Sequence, residues 1–163
     1  MQLKTILAIA LVASALASWA LNMSAQGENA AVERLPSTAG AAVGFSNLED
    51  GDIVPPEFHV KFSISGMGIA PAGVEIAGTG HHHLLIDVVE LPDLNQPLPA
   101  SSNIIHFGKG QTETTLELAE GKHTLQLVLA DYRHIPHDPP VVSDPVTINV
   151  STDAPAQGGT RQE

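Results

Sequence analysis

Imidazole is the side chain with the most chemistry to offer in this sequence, which contains eight histidines and no cysteine. Imidazole nitrogens bind zinc, copper, nickel and iron, whereas the lack of cysteine excludes disulfides, thiolate zinc sites and iron–sulfur clusters. Three of the histidines, residues 81–83, are consecutive, and His134 and His137 share a second segment. This pattern predicts a metal site in which histidine is the main ligand.

Alternation along a β-strand sorts the three consecutive histidines onto two faces. His82 shares a face with Leu84 and Ile86, so we expect it to point toward an apolar core. His81 and His83 project together from the other face, which is how a strand presents two imidazoles to one ion. The predicted ligands of a copper or zinc ion are His81, His83, His134 and His137.

Four further residues are expected to support or complete this site. Asp131 falls on the apolar face of a predicted strand, where a buried carboxylate needs a partner. We expect Asp131 to contact His82 and to fix the tautomer of its imidazole. His106 ends another predicted strand near the same place, and Met67, in a glycine-rich turn, offers a thioether to Cu(I).

The elements that must position these residues are predicted to be β-strands. Residues 43–150 contain short apolar runs separated by glycine, proline, asparagine and aspartate, and none sustains a helical period over three turns. The predicted strands are residues 45–48, 58–64, 82–90, 104–107, 112–118, 123–132 and 142–150. About seven strands in a chain of this length predict an all-β fold, a single immunoglobulin-like antiparallel β-sandwich.

Alternating strand direction in such a sandwich gathers most of the histidines at one end. Residues 81–83 begin one strand there, His106 ends the next, and His134 and His137 lie in a proline-rich extended loop between the last two strands. His59 and His123 begin strands at the opposite end. We expect these two to be structural, hydrogen-bonded residues.

The segments that flank the sandwich differ from it in composition. Residues 1–25 contain Lys4 and then an apolar run that ends in small residues, which is typical of a cleaved signal peptide. The run is short for a bilayer span, so we expect no membrane span in the mature form. Residues 26–42 and 151–163 are predicted to be a flexible linker and a disordered tail. The expected location is the periplasm or the exterior.

Charge and missing motifs exclude several function classes. Seven basic and 18 acidic side chains give a formal charge of −11, which disfavours nucleic acid as a partner. The sequence has no G-x-S-x-G nucleophile elbow, no H-E-x-x-H motif and no phosphate-binding loop. A non-enzymatic role is therefore favoured over an enzymatic one.

Several motifs in order give the chain a family resemblance. They are Gly-Met-Gly-Ile-Ala-Pro-Ala-Gly at 66–73, Thr-Gly-His-His-His-Leu-Leu-Ile-Asp at 79–87, and the segments 106–114, 121–127 and 134–140. Together they resemble the bacterial periplasmic family catalogued as domain of unknown function 4399, over residues 43–150. The resemblance implies an exported bacterial domain without an established activity, and it places the histidines at 81–83, 106, 123, 134 and 137 in the family pattern.

Two hypotheses from different classes follow. In the first, the protein is an exported domain that binds copper or zinc through histidines at one end of the sandwich. In the second, it is a non-enzymatic cell-envelope interaction domain whose same end docks an envelope protein or a glycan, and the histidines are structural. A redox or hydrolytic enzyme built on the metal site is a third, less favoured hypothesis. The sequence leaves the oligomeric state open.

Overall fold

Short apolar runs separated by turn residues fold into ten strands in the structure, a computed structural model that describes residues 32–155. In chain order they are β1 (Ala42–Phe45), β2 (Ile53–Val54), β3 (Glu57–Ser65), β4 (Gly68–Ile69), β5 (Thr79–Ile86), β6 (Ile104–His106), β7 (Glu113–Glu117), β8 (Gly121–Ala130), β9 (Pro136–Val142) and β10 (Val146–Val150). Residues 32–155 contain no helix that is long and apolar enough to cross a membrane.

The strands form two sheets. The smaller sheet has the order β1-β3-β7, and both of its pairings are antiparallel. The larger sheet has the order β2-β10-β8-β5-β4, with β6 also paired to β5 and β9 also paired to β8. Its longer pairings are antiparallel, and the two-residue strands β2 and β4 pair in parallel with β10 and β5. The predicted all-β sandwich is confirmed.

The main hydrophobic core lies between these two sheets. Phe58, Val60 and Phe62 of β3 are buried while the residues between them are more exposed, as the predicted alternation requires. From the larger sheet, β8 contributes Leu125, Leu127 and Leu129. Burial of this alternating apolar face is the main favourable contribution to holding the sheets together.

Strand β5 is buried on both faces, and this fixes where its histidines lie. Leu84 and Ile86 belong to the core between the sheets, whereas Leu85 belongs to a second apolar cluster on the outer face of the larger sheet. That cluster includes Leu98 and Ile104, so the connection between β5 and β6 covers this face. Both faces of β5 are therefore shielded from water.

The structure differs from the predicted strands in several places. β5 covers Thr79–Ile86 rather than 82–90, and β10 covers Val146–Val150 rather than 142–150. β2 and β4 were not predicted, because two residues are too few to show an apolar period. The first strand covers Ala42–Phe45 rather than 45–48. The segment predicted as an extended loop at 134–140 partly becomes β9, which pairs with β8 on one side and forms a single bridge between Asp138 and Pro36 on the other.

Parts of the predicted terminal segments lie outside the described residues, namely the signal peptide at 1–25, residues 26–31 and residues 156–163. The described part of the predicted linker is hydrogen-bonded to β9. Arg34 Nε donates to the carbonyl of Pro136 at 2.9 Å, and the N–H group of Ser37 donates to the carbonyl of Asp138 at 3.0 Å. The sandwich therefore includes residues before the predicted boundary at 43.

His123 and Asp87 form an ion pair at the end of β5 farthest from its consecutive histidines. His123 Nδ1 lies 2.7 Å from Asp87 Oδ2, and His123 Nε2 lies 3.0 Å from the carbonyl of Ala119. Asp87 Oδ1 also accepts the N–H group of Thr124 at 2.9 Å. His59, near Glu113 at 3.2 Å, has a similar carboxylate neighbour. Both histidines are thus hydrogen-bonded, as predicted.

Replacing the carboxylate of this pair should lower stability in a pH-dependent way. Burial opposes the charge on both groups, but the bonds from Thr124 and His123 lower the pKa of Asp87, and the bond to Asp87 raises the pKa of His123. The pair therefore stabilises the fold above the ordinary carboxyl pKa, and this contribution is lost as the pH rises through the raised pKa of His123. We expect Asp87→Asn to reduce the free energy of unfolding by about 0.5–1 kcal/mol at pH 6 and by less at pH 9. Urea unfolding at both pH values measures this, and an equal loss at both would contradict it.

Candidate metal centre

Four imidazole rings meet on the outer face of the larger sheet. His81 and His83 lie on β5, His106 is the last residue of β6, and His134 lies in the connection between β8 and β9. The centroids of every pair among these four rings are between 4.6 and 5.8 Å apart. We call these four residues the histidine cluster.

Strand pairing explains how residues so far apart in the chain come together. His106 is the direct cross-strand partner of His83, so the two side chains leave the sheet on the same face. On the other side of β5, His81 is opposite Ala130, the last residue of β8. The chain then turns, and His134 returns to place its ring 5.0 Å from that of His81.

A closed turn carries His134. The backbone N–H group of His134 donates to the carbonyl of Asp131, and the N–H group of Asp131 donates to the carbonyl of Ile135, both at 2.9 Å. His134 has a φ of 70°, a conformation that few residues other than glycine adopt. Its carbonyl accepts the N–H group of Leu98 at 2.9 Å, so a second loop also fixes the turn.

Gly108 makes room for the ring of His106. A Cβ atom placed on Gly108 would lie within 2.5 Å of His106 Nε2, closer than real Cβ atoms approach other atoms. Gly108 does not need glycine for its backbone conformation, since its φ is outside the left-handed region. The ring of His106 is therefore the reason that a side chain does not fit here.

The inner half of the cluster is buried, and its nitrogens are unpaired. His81 is 0% exposed and His83 is 2% exposed, whereas His106 is exposed and His134 is half-buried. Neither ring nitrogen of His81, nor Nδ1 of His83, has a hydrogen-bond partner within residues 32–155. A buried polar group without a partner costs about 1–3 kcal/mol. A bound metal ion would accept the free lone pairs.

The cluster favours the neutral form of imidazole, which is the form that binds metals. Burial, together with charge repulsion from His106 and His134, lowers the pKa of His81 to about 4. Burial, with the same kind of repulsion from His81, lowers the pKa of His83 to about 3. The pKa of His106 is also lowered, by burial and by His134.

The ligand atoms are close to the spacing that one ion requires. One ring nitrogen from each of His81, His83 and His106 lies within 4.8 Å of the others. His106 Nε2 also lies 3.1 Å from His134 Nε2. Nitrogens bound at about 2.0–2.1 Å around a tetrahedral zinc ion are about 3.4 Å from one another. His81, His83 and His106 can therefore hold a metal ion, and His134 lies beside them.

Two of the predicted metal-binding histidines lie on the other face of the sheet. His82 packs against Phe62 of the main core with a centroid distance of 5.0 Å, as its predicted orientation requires. Both ring nitrogens of His82 also lack a hydrogen-bond partner in the described part of the chain. His137 is 1% exposed, and its Cε1 atom would lie 3.0 Å from a Cβ atom on Gly80. Gly80 shares a face with His82, so His137 lies apart from the histidine cluster.

The predicted contact between Asp131 and His82 is wrong. Asp131 is 0% exposed, and its Oδ2 atom accepts two bonds from the guanidinium of Arg133, at 3.0 and 2.7 Å. The cation that pairs with Asp131 is thus Arg133, two residues later in the same turn. The sequence analysis did not identify Arg133. Met67, the predicted thioether ligand, packs against the core between the sheets.

Sequence reasoning gave His106 only a supporting role and did not single out Gly108. The register between β5 and β6 places His106 directly opposite His83, and no periodicity in the sequence shows that register. The His-x-Gly spacing at 106–108 was a usable signal, because a glycine two residues after a histidine leaves space beside its ring.

Comparison with known proteins gives one family match. The protein-family model described as "Domain of unknown function (DUF4399)" matches residues 60–151. The match begins within β3, ends just after β10, and includes all four residues of the histidine cluster. No curated protein and no solved structure matches the chain.

Alanine at position 108 should displace His106 without unfolding the protein. In Gly108→Ala the ring of His106 must rotate away from the new methyl group, and because this ring is exposed the movement costs little stability. We expect the His106 ring signals in a histidine NMR spectrum to shift and those of His59 to stay. The matched control is Gly44→Ala, whose new Cβ atom would meet its nearest neighbour at an ordinary 3.4 Å. Unchanged His106 signals in Gly108→Ala would contradict the assigned role of Gly108.

Acid should destabilise the metal-free protein at a pH where most proteins are stable. Burial lowers the pKa of His82, like that of His81, to about 4, and that of His83 to about 3. Between pH 6.5 and pH 4 the unfolded chain therefore binds protons that the folded chain does not, and stability falls as the pH falls. The fall is at most about 1.4 kcal/mol per pH unit for each histidine.

Urea unfolding of chelator-treated protein at pH 7, 6 and 5 measures this dependence. The variant His82→Leu removes one buried histidine that lies outside the cluster, so its stability should fall less steeply between pH 6 and 5. A stability that stays constant from pH 7 to pH 5 would contradict the prediction.

Proposed function

The chain belongs to the family described as domain of unknown function 4399, and since that membership assigns no activity, we propose from the site that the protein binds one zinc ion through the histidine cluster. One observation carries the proposal. His81 has two buried ring nitrogens without a partner within residues 32–155, and its ligand atom lies within 4.8 Å of those of His83 and His106.

A purely structural role explains the cluster less well than a metal does. His59 and His123 each have a carboxylate partner, although the core residue His82 also lacks a hydrogen-bond partner within residues 32–155. In the cluster, the ring of His81 contacts the rings of His83 and His106. These ring contacts leave the cost of burying the unpaired nitrogens uncompensated, whereas a bound cation offsets it for the one nitrogen of each ring that it binds.

The arrangement of the rings favours a tetrahedral ion. Four imidazoles around a tetrahedral zinc ion have ring centroids about 5.2 Å apart in every pair, given the usual bond lengths. A square-planar Cu(II) site would instead have four pairs at about 4.5 Å and two at about 6.4 Å. The observed range of 4.6 to 5.8 Å, with no distant pair in the cluster, is close to the tetrahedral pattern. Cu(I) is also tetrahedral but prefers sulfur ligands, and Met67 lies in the core.

Four protein ligands complete the shell of a tetrahedral ion and leave no position for a substrate, so the proposed role is to hold zinc rather than to catalyse a reaction. The formal charge of −11 favours the approach of a cation. We also propose that the protein acts in the periplasm or outside the cell. The apolar run near the N-terminus supports this location.

Calorimetric titration of untagged, metal-free full chain with zinc chloride at pH 7.5 tests the proposal. We expect one zinc ion per chain. Loss of an outer-shell partner of a metal site lowers affinity by about 10- to 100-fold, and we expect His81→Asn and His83→Asn, which each remove a ligand, to lower zinc affinity by more than this. The matched control is His59→Asn, which removes a histidine of the smaller sheet and should bind zinc like the wild type.

Two outcomes would contradict zinc binding at the cluster. One is equal affinity in the wild type and in the double variant His81→Asn/His83→Asn. The other is the absence of stoichiometric zinc binding, which would favour the envelope interaction hypothesis. A parallel titration with Cu(II) tests the choice of metal, because a tetrahedral site should give copper no square-planar spectrum.

A further inference from the structure

We propose that Asp131 is a positioning residue for this zinc site, which holds His134 over the other three imidazoles without contacting the ion. The inference rests on the proposed function and deepens it, because it identifies what completes the ligand set. It concerns a residue on the opposite face of β8 from the cluster. Asp131 continues the alternation of Leu127 and Leu129, which face the core.

The carboxylate of Asp131 is fully occupied within its own turn. Oδ1 accepts the backbone N–H groups of Arg133 at 2.8 Å and of Ile135 at 3.1 Å. Oδ2 accepts Nε of Arg133 at 3.0 Å and a terminal guanidinium nitrogen at 2.7 Å. A carboxylate that is 0% exposed is tolerated only with such complete pairing. No oxygen is left to bind a metal.

These bonds enclose His134 on both sides. Residues 133 and 135 donate to Asp131 through their backbones, and His134 donates its own N–H group to the Asp131 carbonyl at 2.9 Å. His134 is held with a φ of 70°, which costs energy unless the surrounding bonds enforce it. The backbone of His134, from which its ring projects, is therefore held in place by Asp131.

Neighbouring segments brace the same turn. Arg133 donates a third bond from its guanidinium to the carbonyl of Glu33 at 2.8 Å. The carbonyl of Tyr132 accepts the N–H group of Gly73 at 2.9 Å. Because the turn is anchored at several points, releasing Asp131 should loosen His134 locally rather than unfold the sandwich.

A double-variant cycle in the full chain tests this role. Asp131→Asn keeps an oxygen that can accept the two backbone N–H groups. It replaces Oδ2 with an NH₂ group, which cannot accept the bonds that Arg133 donates, so the two guanidinium bonds are lost. We expect it to weaken zinc binding by about 10- to 100-fold, the usual effect of losing an outer-shell partner. Because Asp131 acts through His134, the double variant Asp131→Asn/His134→Ala should bind zinc no more weakly than His134→Ala alone.

A spectroscopic measurement separates positioning from general damage. Co(II) replaces zinc and reports the number and geometry of its ligands, so Asp131→Asn should shift the Co(II) absorption spectrum toward that of His134→Ala. The matched control is Asp87→Asn, because Asp87 also accepts a backbone N–H group and pairs with a cationic side chain, but at the other end of β5. This control should keep the wild-type affinity and spectrum.

The outcomes distinguish this inference from the proposed function. If the wild type binds no zinc, both fail. If the wild type binds zinc and Asp131→Asn binds it equally well, or if the effects of Asp131→Asn and His134→Ala add, only the positioning role is overturned. Should Asp131→Asn fail to fold, Arg133→Gln replaces it, because it removes the guanidinium that pairs with Oδ2 of Asp131; it should weaken zinc binding in the wild type but not in the His134→Ala background.

Discussion

Pairing of β5 with a strand on each side is the constraint on which the site depends. Residues 81–86 pair with β8, and residues 83–85 pair with β6. Because side chains alternate, a slip of one residue would move His81 and His83 into the core and His82 out of it. Burial of Leu84 and Ile86 on one face and of Leu85 on the other opposes any such slip. The apolar residues of β5 thus fix the position of its polar ones.

The same burial makes the metal-free cluster costly. Buried imidazole nitrogens without partners in the described chain cost about 1–3 kcal/mol each, which is a large share of the 5–15 kcal/mol typical of a folded domain. The large core between the sheets supplies the stability that this arrangement uses. A ligand that binds only the folded state adds stability in return. The proposed zinc site would therefore be organised before an ion binds, at the expense of the stability of the metal-free fold.

Alternation and turn residues were enough to predict the sandwich, the orientation of His82, and the convergence of His81 with His83. They were not enough to choose His106 over His137. That choice depends on the pairing of β6 with β5 and on an irregularity in the pairing of β8 with β9 near Ala130, and neither leaves a period in the sequence. The partner of Asp131 was missed for a related reason, since a turn can bring Arg133 back to a residue that strand geometry assigns to the core.

The four histidines of the cluster differ in how they are held, and this difference bears on how the proposed zinc site would assemble. His81 and His83 are buried on a central strand, where the sheet itself fixes their directions. His106 and His134 are more exposed, so an ion from solvent meets them first. The sheet alone does not fix the positions of these two rings. Gly108 leaves space for the ring of His106, and a closed turn holds His134. Affinity in such a site depends on two short segments of chain as much as on the whole fold, because the strand supplies only half of the ligands.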